Sequence, residues 1–103
     1  MKLSSVILAA TALAGTSSAY RISVYSKDNY QGTQKTWTSG GSHAVGFTVK
    51  SWIWESPAGD GCCIAFCKGS TNVGRYCDGA RKAVSSAGVT KVVTGCGSAV
   101  LNC

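Results

Sequence analysis

The chain has 103 residues with ten Lys or Arg, four Asp or Glu and a single His, so its net charge is +6 at neutral pH. A chain of this length is expected to form one small domain. Four scattered acids argue against glycoside hydrolysis, which needs two facing carboxylates. No block of Lys or Arg indicates dedicated nucleic-acid binding, so nucleic acid is not an expected partner.

The first 19 residues have the layout of a secretory signal peptide. Lys2 precedes an apolar run from Val6 to Leu13, and small residues end the segment at Ala19. The run is far shorter than the roughly 20 residues needed to span a bilayer. We therefore expect cleavage after Ala19 and a secreted, extracellular protein, a single cysteine-rich β domain of residues 20–103, with 84 residues and a net charge of +5.

Six cysteines lie in the second half of the expected mature chain. An even number in a small secreted domain predicts three disulfides. Of the fifteen possible pairings, twelve avoid a strained link between adjacent cysteines, and the sequence does not choose among them. A metal site is not expected, because the paired CxxC spacing of thiolate sites is missing. The cysteines are Cys62, Cys63, Cys67, Cys77, Cys96 and Cys103.

Short apolar runs alternate with Gly-containing breaks along the chain, which predicts an all-β sandwich or barrel. Only residues 78–88 have the composition of a helical turn or two, ending at Gly88. The three tryptophans lie in the cysteine-free half, so we expect one half to depend on an aromatic core and the other on disulfides. The strand-like runs are YRISVY, FTVKSWIWES, CCIAFC, VTKVVTG and SAVLNC.

The stretch VYSKDNYQG places Tyr25, Tyr30 and Gly32 at a distinctive spacing in a predicted hairpin. This spacing resembles the Y-x-x-x-x-Y/F-x-G motif of the βγ-crystallin family. A folded hairpin stacks the two rings at its corner, and the glycine is needed where the backbone takes a positive φ beneath them. The resemblance implies a compact, disulfide-stabilised Greek-key β-sandwich; the alternative is another disulfide-stapled β-sandwich or a small barrel.

The resemblance extends over nearly the whole expected mature chain, although the first half matches better. Ser51 lies where the family has a serine that begins a strand, and Lys91 is its counterpart in the second half. In the second copy of the motif, Cys67, Asn72 and Gly74 occupy the three key positions. The glycine is kept there, whereas both aromatic residues are replaced.

Members of this family often bind calcium through N/D-N/D-x-x-S/T-S, whose carboxylates and carbonyls are the hard oxygen ligands that calcium prefers. The corresponding stretches here are GFTVKS and SAGVTK, which lack the acidic or amide residues. We therefore expect no calcium site of this type, and no cofactor or other metal.

No catalytic residues are expected. His43 is the only histidine, it lies in a glycine-rich stretch that predicts a solvated loop, and a nucleophile needs a neighbouring base. The best catalytic alternative is a small secreted ribonuclease in which His43, Glu55 and Arg75 or Arg81 perform acid and base chemistry. Nothing in their spacing supports it, and such enzymes mostly use two histidines.

The basic residues favour encounter with anionic surfaces. Together with the resemblance, whose small microbial members include killer-toxin-type antifungals and a protease inhibitor, they predict a monomeric, non-enzymatic toxin or effector, antimicrobial or host-directed. Its partner would be an extracellular target: an anionic membrane, a cell-wall glycan or a protein. The alternative is an inhibitor of a secreted hydrolase that uses the loop SPAGDG at 56–61. The candidate binding surface comprises Lys27, Lys35, Lys50, Arg75, Arg81 and Lys82.

Overall fold

The computed structural model describes residues 20–57 and 59–103, so the expected signal peptide lies outside the described residues. No helix long and apolar enough to cross a membrane occurs in the part of the chain that is described. The described residues form eight strands: β1 Arg21–Lys27, β2 Gln31–Trp37, β3 Gly41–Val49, β4 Ser51–Glu55, β5 Cys62–Lys68, β6 Thr71–Tyr76, β7 Ala80–Lys82 and β8 Val89–Cys96.

The strands form two antiparallel four-stranded sheets, with orders β2-β1-β4-β7 in sheet 1 and β3-β8-β5-β6 in sheet 2. The two orders are equivalent if β1 to β4 are matched with β5 to β8. Each half of the chain therefore contributes its third strand, β3 or β7, to the edge of the sheet that holds the other half's remaining strands. The prediction of a disulfide-stabilised Greek-key β-sandwich is confirmed.

The core lies between the sheets, because alternate residues of each strand point to the same face. Ile22 and Val24 of β1 lie opposite Trp54 and Trp52 of β4, so these four side chains share one face. The inner face of sheet 2 packs against them. The fully buried residues of that face include Val45, Val49, Ile64, Val89 and Val92.

Three of the predicted elements differ from their expected form. The run FTVKSWIWES is two strands that separate at Lys50, with β3 in sheet 2 and β4 in sheet 1. Residues 78–88 form no helix, because β7 pairs with the edge of β4 instead. The segment SAVLNC is not a strand; its Leu101 is buried against Ala65 and Val93 on the outer face of sheet 2.

All six cysteines are paired, and every disulfide has one end on β5. Cys62 faces the core and joins Cys96, its cross-strand neighbour on β8. Cys63 joins Cys77 after β6, and Cys67 joins Cys103. Three disulfides in a small domain are typical of extracellular proteins.

The segment after β8, residues 97–103, folds back over sheet 2. A Cβ atom at Gly95 would lie 2.8 Å from the Cβ of Ala99 and 3.0 Å from a methyl carbon of Leu101, so only glycine lets the segment lie this close. The Lys91 ammonium donates a hydrogen bond to the main-chain oxygen of Cys103 at 2.6 Å. The outer face of sheet 2 is thereby covered by the chain itself.

Candidate functional site

The β1–β2 hairpin has the folded corner expected for the Tyr25, Tyr30 and Gly32 spacing. The two rings meet edge to face with centroids 5.8 Å apart, and Gly32 has a φ of 84°. Tyr30 itself has a φ of 61°, which is uncommon for a residue with a side chain. The buried Ser51 hydroxyl holds it there, accepting a hydrogen bond from the Tyr30 N–H and donating one to the Lys27 carbonyl.

The second hairpin, β5–β6, is built differently. Its turn comprises Gly69 and Ser70, one residue fewer than the turn of 28–30. Gly74 lies within β6 opposite Phe66 and has no positive φ; its N–H is bonded to the Asn72 side chain. Lys91 occupies the register position that corresponds to Ser51, but its side chain extends to Cys103. The second half therefore lacks the clamped aromatic corner.

Both hairpin turns lie at the same end of the sandwich, which we call the hairpin end: residues 27–31, 49–51, 68–71 and 82–88. The Asn29 N–H donates to the Ala83 carbonyl, and the Ser85 N–H donates to the Lys50 carbonyl. A Cβ at Gly88 would contact the side chain of Lys68 at 3.4 Å. Four exposed lysines are gathered here with Asp28 as the accompanying acid: Lys27, Lys50, Lys68 and Lys82.

The other three acids lie toward the opposite end. Glu55 ends β4 and forms an ion pair with Arg21 at 2.6 Å. The hydrogen bond to this carboxylate raises the pKa of Arg21 above its ordinary value. Asp60 and Asp78 lie in the connections before β5 and after β6. The molecule is therefore polarised along its strands, with excess positive charge at the hairpin end. Sequence order alone did not reveal this, because the four lysines come from four separate connections.

The predicted basic surface is divided by the fold. Lys27, Lys50 and Lys82 lie at the hairpin end, whereas the others lie on the body of the sandwich. Arg75 shares the outer face of sheet 2 with Ala65, and Arg81 shares that of sheet 1 with Ile53. Lys35 lies on β2 with its ammonium 5.9 Å from the centre of the Phe47 ring.

A cleft of about 250 Å³ opens between the β6 edge of sheet 2 and the β7 edge of sheet 1. Three mutually packed rings line it, those of Trp52, Phe66 and Tyr76, with centroids 4.4 to 5.8 Å apart. Lys82 lies at its mouth, and the segment after β7 adds two serines. The sequence did not predict this site. Its lining residues are Trp52, Phe66, Val73, Gly74, Tyr76, Lys82, Ser85, Ser86, Ala87 and Val89.

The residues of the ribonuclease alternative are distributed over different elements. His43 lies in strand β3, not in a loop as expected; it stacks on Trp37 with ring centroids 5.1 Å apart and is hydrogen-bonded to the Ser39 carbonyl. Glu55 is paired with Arg21, and Arg75 and Arg81 lie on the outer faces of opposite sheets. Within residues 20–57 and 59–103, no three His, Cys, Asp or Glu side chains are grouped as metal ligands would be.

The loop proposed for an inhibitor is held by Asp60. Its carboxylate accepts hydrogen bonds from the Ser56 hydroxyl at 2.7 Å and from the Cys62 N–H at 2.9 Å. The Ser56 carbonyl in turn accepts a bond from the Gly79 N–H. The described part of this loop, 56–57 and 59–61, is thus a turn tied to its neighbours.

No family model matches this sequence, and no curated protein or solved structure shows significant similarity to it.

Proposed function

We propose that the chain is a secreted, non-enzymatic toxin or effector that binds an anionic target at a cell surface through its hairpin end. The observation that carries the proposal is the charge distribution: four exposed lysines with one acid at this end, and three acids toward the other. A polarised charge distribution steers a small protein so that one end meets an anionic surface first.

Secretion is part of the proposal. The signal-like segment before Tyr20 supports it, as do three disulfides in so small a domain. We also propose kinship with the βγ-crystallin family and its small microbial toxins. The support is the corner formed by Tyr25, Tyr30 and Gly32, together with the serine that begins β4 and fixes that corner.

The experiment compares two triple variants of the protein that begins at Tyr20. One changes three hairpin-end lysines, Lys27→Gln, Lys50→Gln and Lys68→Gln; the other changes three body residues, Lys35→Gln, Arg75→Gln and Arg81→Gln. Both lower the net charge by the same amount. Binding to intact yeast and bacterial cells and growth arrest at micromolar protein are measured for each.

Each lysine near an anionic surface contributes about 1 kcal/mol, so the hairpin-end variant should bind on the order of a hundredfold more weakly. The body variant should bind close to wild type, and salt should weaken binding of both wild type and body variant. Equal losses in the two variants would show that only overall charge matters. A wild-type protein that neither binds nor arrests any of these cells would contradict the proposal.

A further inference from the structure

The cleft between β6 and β7 exists because the two halves of the chain differ in their third strands. β3 has nine residues, whereas β7 has three. At the edge between β2 and β3, the long strand closes the sandwich: His43 stacks on Trp37, and Lys35 lies over Phe47. At the equivalent edge, the short β7 leaves the ring of Tyr76 without such a cover, beside the buried rings of Trp52 and Phe66.

The rings differ in their accessibility. Trp52 is 3% exposed and forms the base of the cleft, whereas Tyr76 is 37% exposed and forms one wall. A partly exposed aromatic wall beside a packed aromatic floor is a surface against which the apolar C–H face of a sugar ring can pack. The volume of about 250 Å³ is below the roughly 300 to 1,000 Å³ of sites for drug-sized ligands. One six-membered ring therefore fits the cleft.

Polar groups surround this apolar surface. Ser85 and Ser86 line the cleft from the segment that follows β7. Lys82 lies on the same face as Trp52, and the one ion pair among the described residues joins Arg21 to Glu55, so Lys82 has no carboxylate partner. No acid lines the cleft. An unpartnered ammonium beside hydroxyls selects a ligand that carries hydroxyls and a negative charge.

We propose that this cleft binds one hexuronic acid residue of an acidic polysaccharide, with the sugar ring against Tyr76 and its carboxylate on Lys82. A flat membrane surface would make no use of a concave aromatic site, which favours the glycan. The inference rests on the proposed function and deepens it: the hairpin-end lysines draw the protein to an anionic surface, and the cleft recognises the sugar.

The test uses trigalacturonic acid and its methyl ester, which has the same sugar rings without the negative charges. Binding to the protein that begins at Tyr20 is followed by tryptophan fluorescence and by NMR shifts of cleft residues. Wild type should bind the acid at least tenfold more tightly than the ester. Lys82→Gln should abolish that preference, while Lys35→Gln, the matched lysine at the closed edge, should keep it.

Tyr76→Ala should weaken binding of both trisaccharides at least tenfold. Ser86→Leu places a larger side chain at an exposed position in the mouth of the cleft and should weaken binding of both trisaccharides to the same extent. This second variant tests the cleft even if the loss of Tyr76 impairs folding. Equal affinity of wild type for acid and ester would overturn the proposal, as would equal effects of Lys82→Gln and Lys35→Gln. If the wild type binds phosphatidylserine vesicles but not the trisaccharide, and Lys82→Gln abolishes the vesicle binding, then the ligand of the cleft is a membrane lipid and the glycan proposal is wrong.

These results are distinguishable from failure of the proposed function. If the variant with three hairpin-end substitutions loses cell binding while Ser86→Leu keeps it, the cleft proposal is wrong and the proposed function stands. If no variant changes cell binding, the proposed role of the hairpin end is wrong as well.

Discussion

Gly32 meets two requirements at one position. Its φ is 84°, and a Cβ atom would lie 2.9 Å from the Lys27 Cγ and closer still to the Ser26 hydroxyl, which accepts a hydrogen bond from the Thr33 N–H. Gly32→Ala should therefore cost about 1 to 2 kcal/mol for the left-handed backbone and about 1 kcal/mol more for the displaced hydrogen bond. The free energy of unfolding in denaturant measures the sum.

Gly59 is the matched control, since its φ is 83° and nothing lies within 4 Å of its Cβ position. Gly59→Ala should show the backbone cost alone. If the two substitutions destabilise the protein equally, the crowding at the corner of the β1–β2 hairpin has no energetic consequence.

The positive φ of Gly32 was predictable from the sequence, because the residues that form the corner are close together in the chain. Gly74 shares the spacing, yet its backbone is that of an ordinary strand residue. The reason is the turn: the β5–β6 hairpin has a two-residue turn, which needs no aromatic corner. The length of a turn depends on the register of its two strands, and the positions of the three motif residues do not specify that register.

Among the elements, the segment 97–103 depends on the Cys67–Cys103 disulfide. Its ends are separated by 36 residues, whereas the Cys63–Cys77 disulfide spans 14. From loop-closure entropy, Cys67→Ala with Cys103→Ala should cost about 4 kcal/mol, against about 3 kcal/mol for Cys63→Ala with Cys77→Ala. Release of Leu101 from the outer face of sheet 2 should widen the difference. Denaturant unfolding of both double variants checks this, and a smaller loss for the first would contradict it.

Most strands could be predicted because their inner faces alternate, as in β1 and β4. β2 and β6 could not, since both are edge strands whose residues are mostly exposed. In FTVKSWIWES the apolar positions change from odd to even numbers after Val49, which marks the passage from one sheet to the other. Residues 78–88 have helical composition, but pairing of β7 with β4 overrides it.

For the whole molecule, the exchange of third strands makes the halves interdependent. A peptide of residues 20–57 would lack both the partner of β3, which is β8, and the sheet that covers Ile22 and Trp54. It contains no cysteine to compensate. We therefore expect it to be unfolded by circular dichroism, and to gain sheet structure when mixed with oxidised 59–103. A cooperative unfolding transition of the peptide alone would contradict this expectation.

The candidate sites were the least predictable features, because they exist only in the assembled sandwich. The floor of the cleft comes from β4, β5 and β6, and its opening results from the shortness of β7. The sequence did indicate an excess of positive charge, but its concentration at one end depends on which connections lie together. Local motifs could thus be found in the sequence, whereas properties of the assembled sheets could not.

The disulfides of the two adjacent cysteines of β5 can both form in only one alignment of the strand. Cys62 reaches its partner on the core side and Cys63 on the outer side, because neighbouring residues of a strand point in opposite directions. A slip of β5 by one residue would exchange their directions and present each thiol to the wrong partner. Only the correctly aligned strand can form both bonds, so oxidation would select the native pairing and trap it covalently.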